Sequence, residues 1–306
     1  MKYTTLVLFI VFFSLRASAQ NGWTVQVSPS LRHLYAVRFL DVNTGTACGL
    51  AGAIFHTTDG GANWAEQTSG VFNQLRSISF TSRLNGVIVG RDGIILHTTD
   101  GGHQWHQQKS PANLMPLLST YFIDSLIGYA VGWYGNIIHT TDAGVSWELQ
   151  KCDVTTFLRG VQFADYRVGL IVGEKGTVLR TINAGRYWEP LPSETTEDLT
   201  SLCFINKSIV VAVGDNGTII RSTTNGYRWK CVESPTKNNL RAVSFSGLIG
   251  TIVGENGTIL RSSDGGQTWR DESQKMGTHL LGVHQIDAKH ATVVGVNGLI
   301  LRKDEK

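Results

Sequence analysis

The chain has 306 residues, and its 27 Lys and Arg against 24 Asp and Glu give a net charge of +3. Lys2 and Arg16 lie in the first 19 residues, so from Gln20 onward bases and acids nearly balance. That balance excludes the net basic field that nucleic-acid binding requires, and the absence of a low-complexity linker or long helical pattern leaves no sign of a second domain.

Residues 1–19 read as a secretory signal. Lys2 supplies the positive end, Leu6 to Leu15 an apolar segment too short to span a bilayer, and Ala17-Ser18-Ala19 an A-x-A cleavage site. The expectation is export to the periplasm or medium, with cleavage near Ala19-Gln20. No Cys follows the apolar segment and no later stretch reaches transmembrane length, so neither a lipid anchor nor membrane insertion of the mature chain is expected.

From Gln20 the chain repeats. Trp64, Trp105, Trp147, Trp188, Trp229 and Trp269 recur at intervals of 40 to 42 residues. Self-similarity at this period marks a propeller or solenoid. Each unit reads as four strands. In the sixth, Leu240 to Phe245 is the first strand and Gly250 to Gly254 the second; Glu255-Asn256-Gly257 turns the chain, with Asn-Gly suited to positive φ. Thr258 to Arg261 is the third strand and Trp269 to Glu272 the fourth. First strands are likewise expected at 34–39, 75–80, 117–122, 158–163, 199–204 and 280–286. The seventh unit ends after its third strand, while Trp23 lies one period before Trp64. Trp23 to Val27 is therefore expected to complete the last blade and close the ring, removing its open ends. Residues 20–306 are thus expected to form a single all-β domain, a seven-bladed propeller of four-stranded antiparallel blades.

Before each repeated Trp the frame reads Ser/Thr-x-Asp-x-Gly-x-x-Trp. The Asp side chain accepts bonds from backbone N–H groups just ahead of it, and Gly permits positive φ. The Trp then lays a large apolar surface across the turn. Asp59, Asp100, Asp142 and Asp264 hold the acidic position, which Asn183 and Thr224 take in the fourth and fifth units. Six equal copies argue for a structural rather than a catalytic or metal role. The frame resembles the Asp-box (BNR-type) repeat. The whole repeat, with Leu-Arg-x-Val-x-Phe followed by Gly-x-x-Val-Gly-x-x-Gly-x-Ile-Leu-Arg and the Asp-box, resembles the photosystem II stability/assembly factor family of exported or lumenal seven-bladed propellers. That resemblance implies a non-catalytic helper that holds membrane-protein subunits during assembly, with Arg on one face. Arg76, Arg159 and Arg241 fit the Leu-Arg motif; Tyr35, Leu118, Thr200 and Leu281 depart from it.

Cys48, Cys152, Cys203 and Cys231 do not follow the period and read as free thiols, although export permits a disulfide. His56, His97 and His139 share one repeat position with Arg180, Arg221, Arg261 and Arg302, and the simplest reading is one inter-blade hydrogen bond repeated around the ring. Asn206, Asn216 and Asn256 begin glycosylation sequons by pattern, the latter two in turns the fold already demands.

Binding uses loops, because strands are occupied with packing. The turns between second and third strands share a face with the starts of the first strands, opposite the Asp-boxes. Trp133 stands out there as the one Trp other than Trp23 outside the six Asp-box positions, and Tyr134 follows it. The neighbouring second and fourth units bring Arg76, Arg91, Arg159 and Lys175, and the sixth adds Arg241 on the same face. Aromatics with Arg dominate binding hot spots, which makes these seven residues the candidate partner-binding patch. Asp92, Glu174, Asp215 and Glu255 also lie on this face, but short turns offer them little room for a cleft and nothing that would bury a carboxyl to raise its pKa. The Arg-Ile-Pro motif implied by a sialidase likeness is absent. No catalytic residue, cofactor or metal is expected. The reading is a monomeric protein-binding scaffold, with a glycan-binding or glycoside-cleaving propeller at the cell surface as the alternative.

Overall fold

The computed structural model describes residues 20–150, 152–274 and 276–305. The secretory leader expected at 1–19 lies outside them. Seven four-stranded antiparallel sheets follow one another around a ring, and the described residues contain no α-helix. The first strands, Leu34–Phe39, Leu75–Phe80, Leu117–Phe122, Leu158–Phe163, Leu199–Phe204, Leu240–Ser246 and Leu280–Gln285, are innermost. Second strands such as Gly86–Gly90 are buried along their whole length, which is why they read as continuous apolar runs instead of alternating. Fourth strands such as Ala65–Gln67 are short and largely exposed, a blunted outer edge.

The core lies between neighbouring blades. Cys48 and Ile54 of blade one pack with Leu75, Ile88 and Trp105 of blade two. Within a blade the last Phe of the first strand meets the Asp-box Trp edge to face, as in Phe39 and Trp64 at 6.0 Å and 90° or Phe122 and Trp147 at 6.0 Å and 86°. Such pairs add about 0.5–1.5 kcal/mol to their area burial. The glycine that opens the second strand makes room for that ring: a Cβ on Gly128 would lie 2.6 Å from Phe122.

Each Asp-box is a small hydrogen-bonded knot. Thr57 Oγ1 donates to Asp59 Oδ1 at 2.9 Å and accepts from Gly61 N–H at 2.9 Å, while Asp59 Oδ1 also accepts from Asn63 N–H at 2.9 Å. Asp100, Asp142 and Asp264 repeat this. The departures keep it: Asn183 Oδ1 accepts from Tyr187 N–H at 3.0 Å and Thr224 Oγ1 from Arg228 N–H at 2.8 Å. Trp64 and Trp188 tie this knot to the preceding sheet, donating Nε1–H to Gln26 and Gln150 at 3.3 Å.

The ring closes through the N-terminal strand. Trp23–Gln26 pairs antiparallel with Ile300–Asp304, Trp23 opposite Lys303, so one sheet contains both ends of the described chain. Trp23 is fully buried against Val253, Ile259 and Leu280. Lys303 Nζ crosses the seam, bonding Asn21 O at 3.1 Å and Glu272 Oε2 of blade six at 2.6 Å.

The basic position before the Asp-box does not behave as one repeated bond. Arg180, Arg221 and Arg302 each donate to a carbonyl of the next blade, at 3.0, 2.7 and 3.0 Å, and Arg261 reaches Gln285 of blade seven. His56 bonds Thr46 of its own blade, His139 lies tilted against the Tyr129 ring, and His97 Nε2 is buried without a partner. Imidazole is too short for the span the guanidinium covers. All four cysteines are free thiols.

Candidate protein-binding face

Hydrogen bonds define the two faces. Asp-box turns bond to the turns between first and second strands, Gly60 N–H to Asn43 O at 2.9 Å and Gly101 N–H to Leu84 O at 2.8 Å. The turns between second and third strands bond instead to the links between blades, as in Gly135 N–H to Thr156 O at 3.0 Å. On this second face the first residue of every turn donates its N–H to the residue before a first strand, Trp133 to Pro116 O at 3.1 Å and Glu174 to Phe157 O at 3.0 Å. The next residue adopts positive φ, even where it is Ala51, Tyr134 or Lys175. In blades four to seven that residue's N–H is clamped by a side chain of the following blade: Lys175 by Asp198, Asn216 by Asn239, Asn256 by His279 and Asn297 by His33. No such clamp joins blades one to three to their followers among the described residues.

Blade three uses aromatics there instead. Trp133 lies flat on Phe157 of blade four, centroids 4.6 Å apart at 2°, and Tyr134 stands edge-on to both. Trp133 is half-buried, whereas Tyr134 is 57% exposed. Phe157 is the member sequence reading missed. Its signal was available, since it occupies the position just before a first strand that His33, Gln74, Pro116, Asp198, Asn239 and His279 fill elsewhere. On the same face Phe72, 92% exposed, and Leu114, 76% exposed, stand on the links that lead into blades two and three.

The arginines divide into two kinds. Arg159 is held by Glu174 at 2.7 Å and Asp198 at 3.3 Å; Arg241 bonds Asp215 at 3.2 Å and also Glu255. Arg76 has no carboxylate partner among the described residues. It bonds Gln74 Oε1 at 2.8 Å and lies 4.1 Å over the Tyr35 ring. Burial and the neighbouring Arg91 and Arg159 lower its pKa, so it is a cation in want of an anion. Arg76, Arg159, Arg241, Trp133 and Phe157 all line a central channel of about 960 Å³. Arg91, Tyr134 and Lys175 lie outside that lining, exposed on their turns. The expectation that no carboxyl on this face is buried enough to rise needs correction. Burial raises Asp215, despite Arg241, while Glu255, also penalised by burial, is held low by its bonds to Arg241.

Comparison with known proteins places this geometry in a family. A search of the curated proteins found no match. Among solved structures, "YCF48 bound to D1 peptide" is 22% identical with a TM-score of 0.78, covering 94% of this chain and 96% of that one. YCF48 from Cyanidioschyzon merolae is 19% identical, TM-score 0.77, over 92% and 98%. The GH74 enzyme of Niastella koreensis is 12% identical, TM-score 0.76, over 92% of this chain and 54% of the enzyme, a likeness of fold alone. The sequence profile described as "Photosynthesis system II assembly factor YCF48" matches residues 15–116, 141–237 and 182–306. The chain belongs to the YCF48 family of photosynthesis system II assembly factors.

Proposed function

We propose that this chain is an exported, non-catalytic scaffold that holds an extended segment of a membrane-protein subunit against the channel mouth on blades two to four. The observation that carries this reading is the Trp133, Phe157 and Tyr134 cluster. All seven turns of this face carry positive φ at their second residue, and blade three alone puts an aromatic there. Here it presents an exposed ring beside a stacked pair, with exposed Phe72 and Leu114 on the same face. Aromatic anchors of this kind supply most of the binding energy at protein interfaces, and Arg76 offers an unpaired cation to an acidic group. The family's description and the peptide bound to one YCF48 structure support a protein partner. Export rests on the leader at 1–19.

The test is affinity for a membrane-protein partner identified by capture on the native chain, compared with the Trp133→Ala/Arg76→Ala form. A roughly hundredfold loss, with unchanged circular dichroism, is expected. Equal affinity of the two forms would refute the patch.

A second reading is favoured by one observation. Asp215 and Glu255 share Arg241, and their pKa values are pushed apart, the pattern of an acid and base pair. A glycan panel separates the readings: cleavage or saturable binding lost in Asp215→Asn supports a carbohydrate-active propeller.

A further inference from the structure

The innermost strand of each blade turns one edge toward the channel, and its N–H groups there need acceptors. Side chains of the preceding blade supply them. Ser77 accepts from Thr120 N–H at 3.1 Å, Ser119 from Val161 at 3.3 Å and Ser201 from Val243 at 3.3 Å. One layer deeper, Gln162 Oε1 accepts from Phe204 N–H at 2.9 Å, Ser244 Oγ from Gln285 at 2.9 Å and His284 Nδ1 from Phe39 at 3.1 Å. Each bond uses a lone pair and leaves the side chain its donor. Gln162 keeps its amide N–H groups, Ser244 its hydroxyl proton and His284 the proton on Nε2. The imidazole stays neutral, its pKa driven well below 6.5 by burial and by Arg38 and Arg302.

Arg38 is the exception in this deeper layer. It stands in blade one where Gln162, Ser244 and His284 stand in theirs, but arginine has no acceptor to offer. No hydrogen bond or ion pair to a described residue holds its guanidinium. Arg38 is solvent-exposed, but its surface opens into the channel, where surrounding protein lowers its pKa by partial desolvation. It lines the same channel as Tyr121 of blade three, Cys203 of blade five, Gln162, Ser244 and His284. Carboxylates line the channel only at its mouth among the described residues, where Arg159 and Arg241 hold Glu174 and Glu255.

We propose that the channel at the level of Arg38 is a binding site for a small oxyanion, held by the Arg38 guanidinium and the donors of Gln162, Ser244 and His284. Gln162, Ser244 and His284 each keep a hydrogen-bond donor that can turn to the channel's contents. Charge-assisted bonds to a guanidinium are the strong ones, and a partly desolvated lumen strengthens them. No carboxylate lines the channel at this level among the described residues, which favours an anion over a cation. This site does not depend on the protein-binding reading, since none of its four residues belongs to that patch.

Thermal unfolding tests it. The native chain is melted in phosphate, in acetate and in chloride at matched ionic strength across the millimolar range. A saturable rise in Tm beyond that in chloride is expected with one or both oxyanions. Arg38→Gln should weaken that binding at least about tenfold, the loss of a charged hydrogen-bond donor. Arg83→Gln, which removes an exposed cation elsewhere, should leave it intact. Without oxyanion, Arg38→Gln should melt no lower than the native chain, because an unpaired charge has been removed from a confined site; this separates loss of the site from loss of the fold. A response to phosphate alone marks an inorganic ion, and one to acetate alone a carboxylate from a chain end or side chain. Equal oxyanion shifts in the native and Arg38→Gln chains, or none beyond chloride in the native chain, would overturn the proposal.

Discussion

Single side chains set the chain's acid sensitivity. Hydrogen bonds lower the Asp-box carboxyls: those from Asn63 for Asp59 and the Gln104 N–H for Asp100, while at Asp264 burial pushes upward but the Thr268 hydroxyl and N–H outweigh it, leaving a pKa of about 2. A carboxyl lowered in the folded state stabilises the protein above its unfolded pKa, and that stability fades as pH falls through the folded value. Melting should therefore drop as pH falls from about 4 toward 2. Asp264→Asn keeps an accepting oxygen, as Asn183 shows in blade four, but loses the charge, so it should lower Tm near pH 7 and shrink that drop; an unchanged pH profile would contradict the assignment. The Asp-box was legible to the residue because its partners lie within five positions in the chain. Arg159 was legible only as a cation, since one of its two carboxylates, Asp198, comes from the next blade. Phe157 and Arg38 went unread because each is an irregularity in a column of the repeat that had not been compared, and what matters at both is a neighbour across a blade boundary.

Among elements, the closing strand has the largest effect. Trp23–Gln26 was legible as an arithmetic remainder, seven first strands against six Asp-box Trp residues, and it pairs with Ile300–Asp304. Its loss would expose the third strand of the last blade and strip Trp23 from its pocket. Trp23→Ala should cost about 3–5 kcal/mol, and deletion of residues 20–28 more. Calorimetry of both variants checks this, and a native melting curve from the deletion would contradict closure. The strands themselves were readable to within one or two residues because the repeat fixes their phase. The fourth strands were read too long, since the Trp side chain that marks each of them belongs to the turn: blade six pairs only at Arg270–Asp271.

At the scale of the molecule, sevenfold repetition builds a rigid ring whose two faces differ. Asp-boxes and the turns they bond seal one face. On the other, side chains of the following blade clamp the turns of blades four to seven, and the aromatic turn of blade three carries Tyr134 into solvent. The fold follows from pattern alone, whereas a partner is chosen by the few residues that break the pattern. The most direct test of the protein-binding reading is site-specific photo-crosslinking. One probe replaces Tyr134; a control probe replaces Tyr166, equally exposed at 58% on the turn between the first and second strands of blade four, on the Asp-box face. Crosslinks to a single membrane-protein segment from position 134, and none from 166, are the expected result. Crosslinks confined to 166, or none from either position, would contradict a partner seated on the aromatic face.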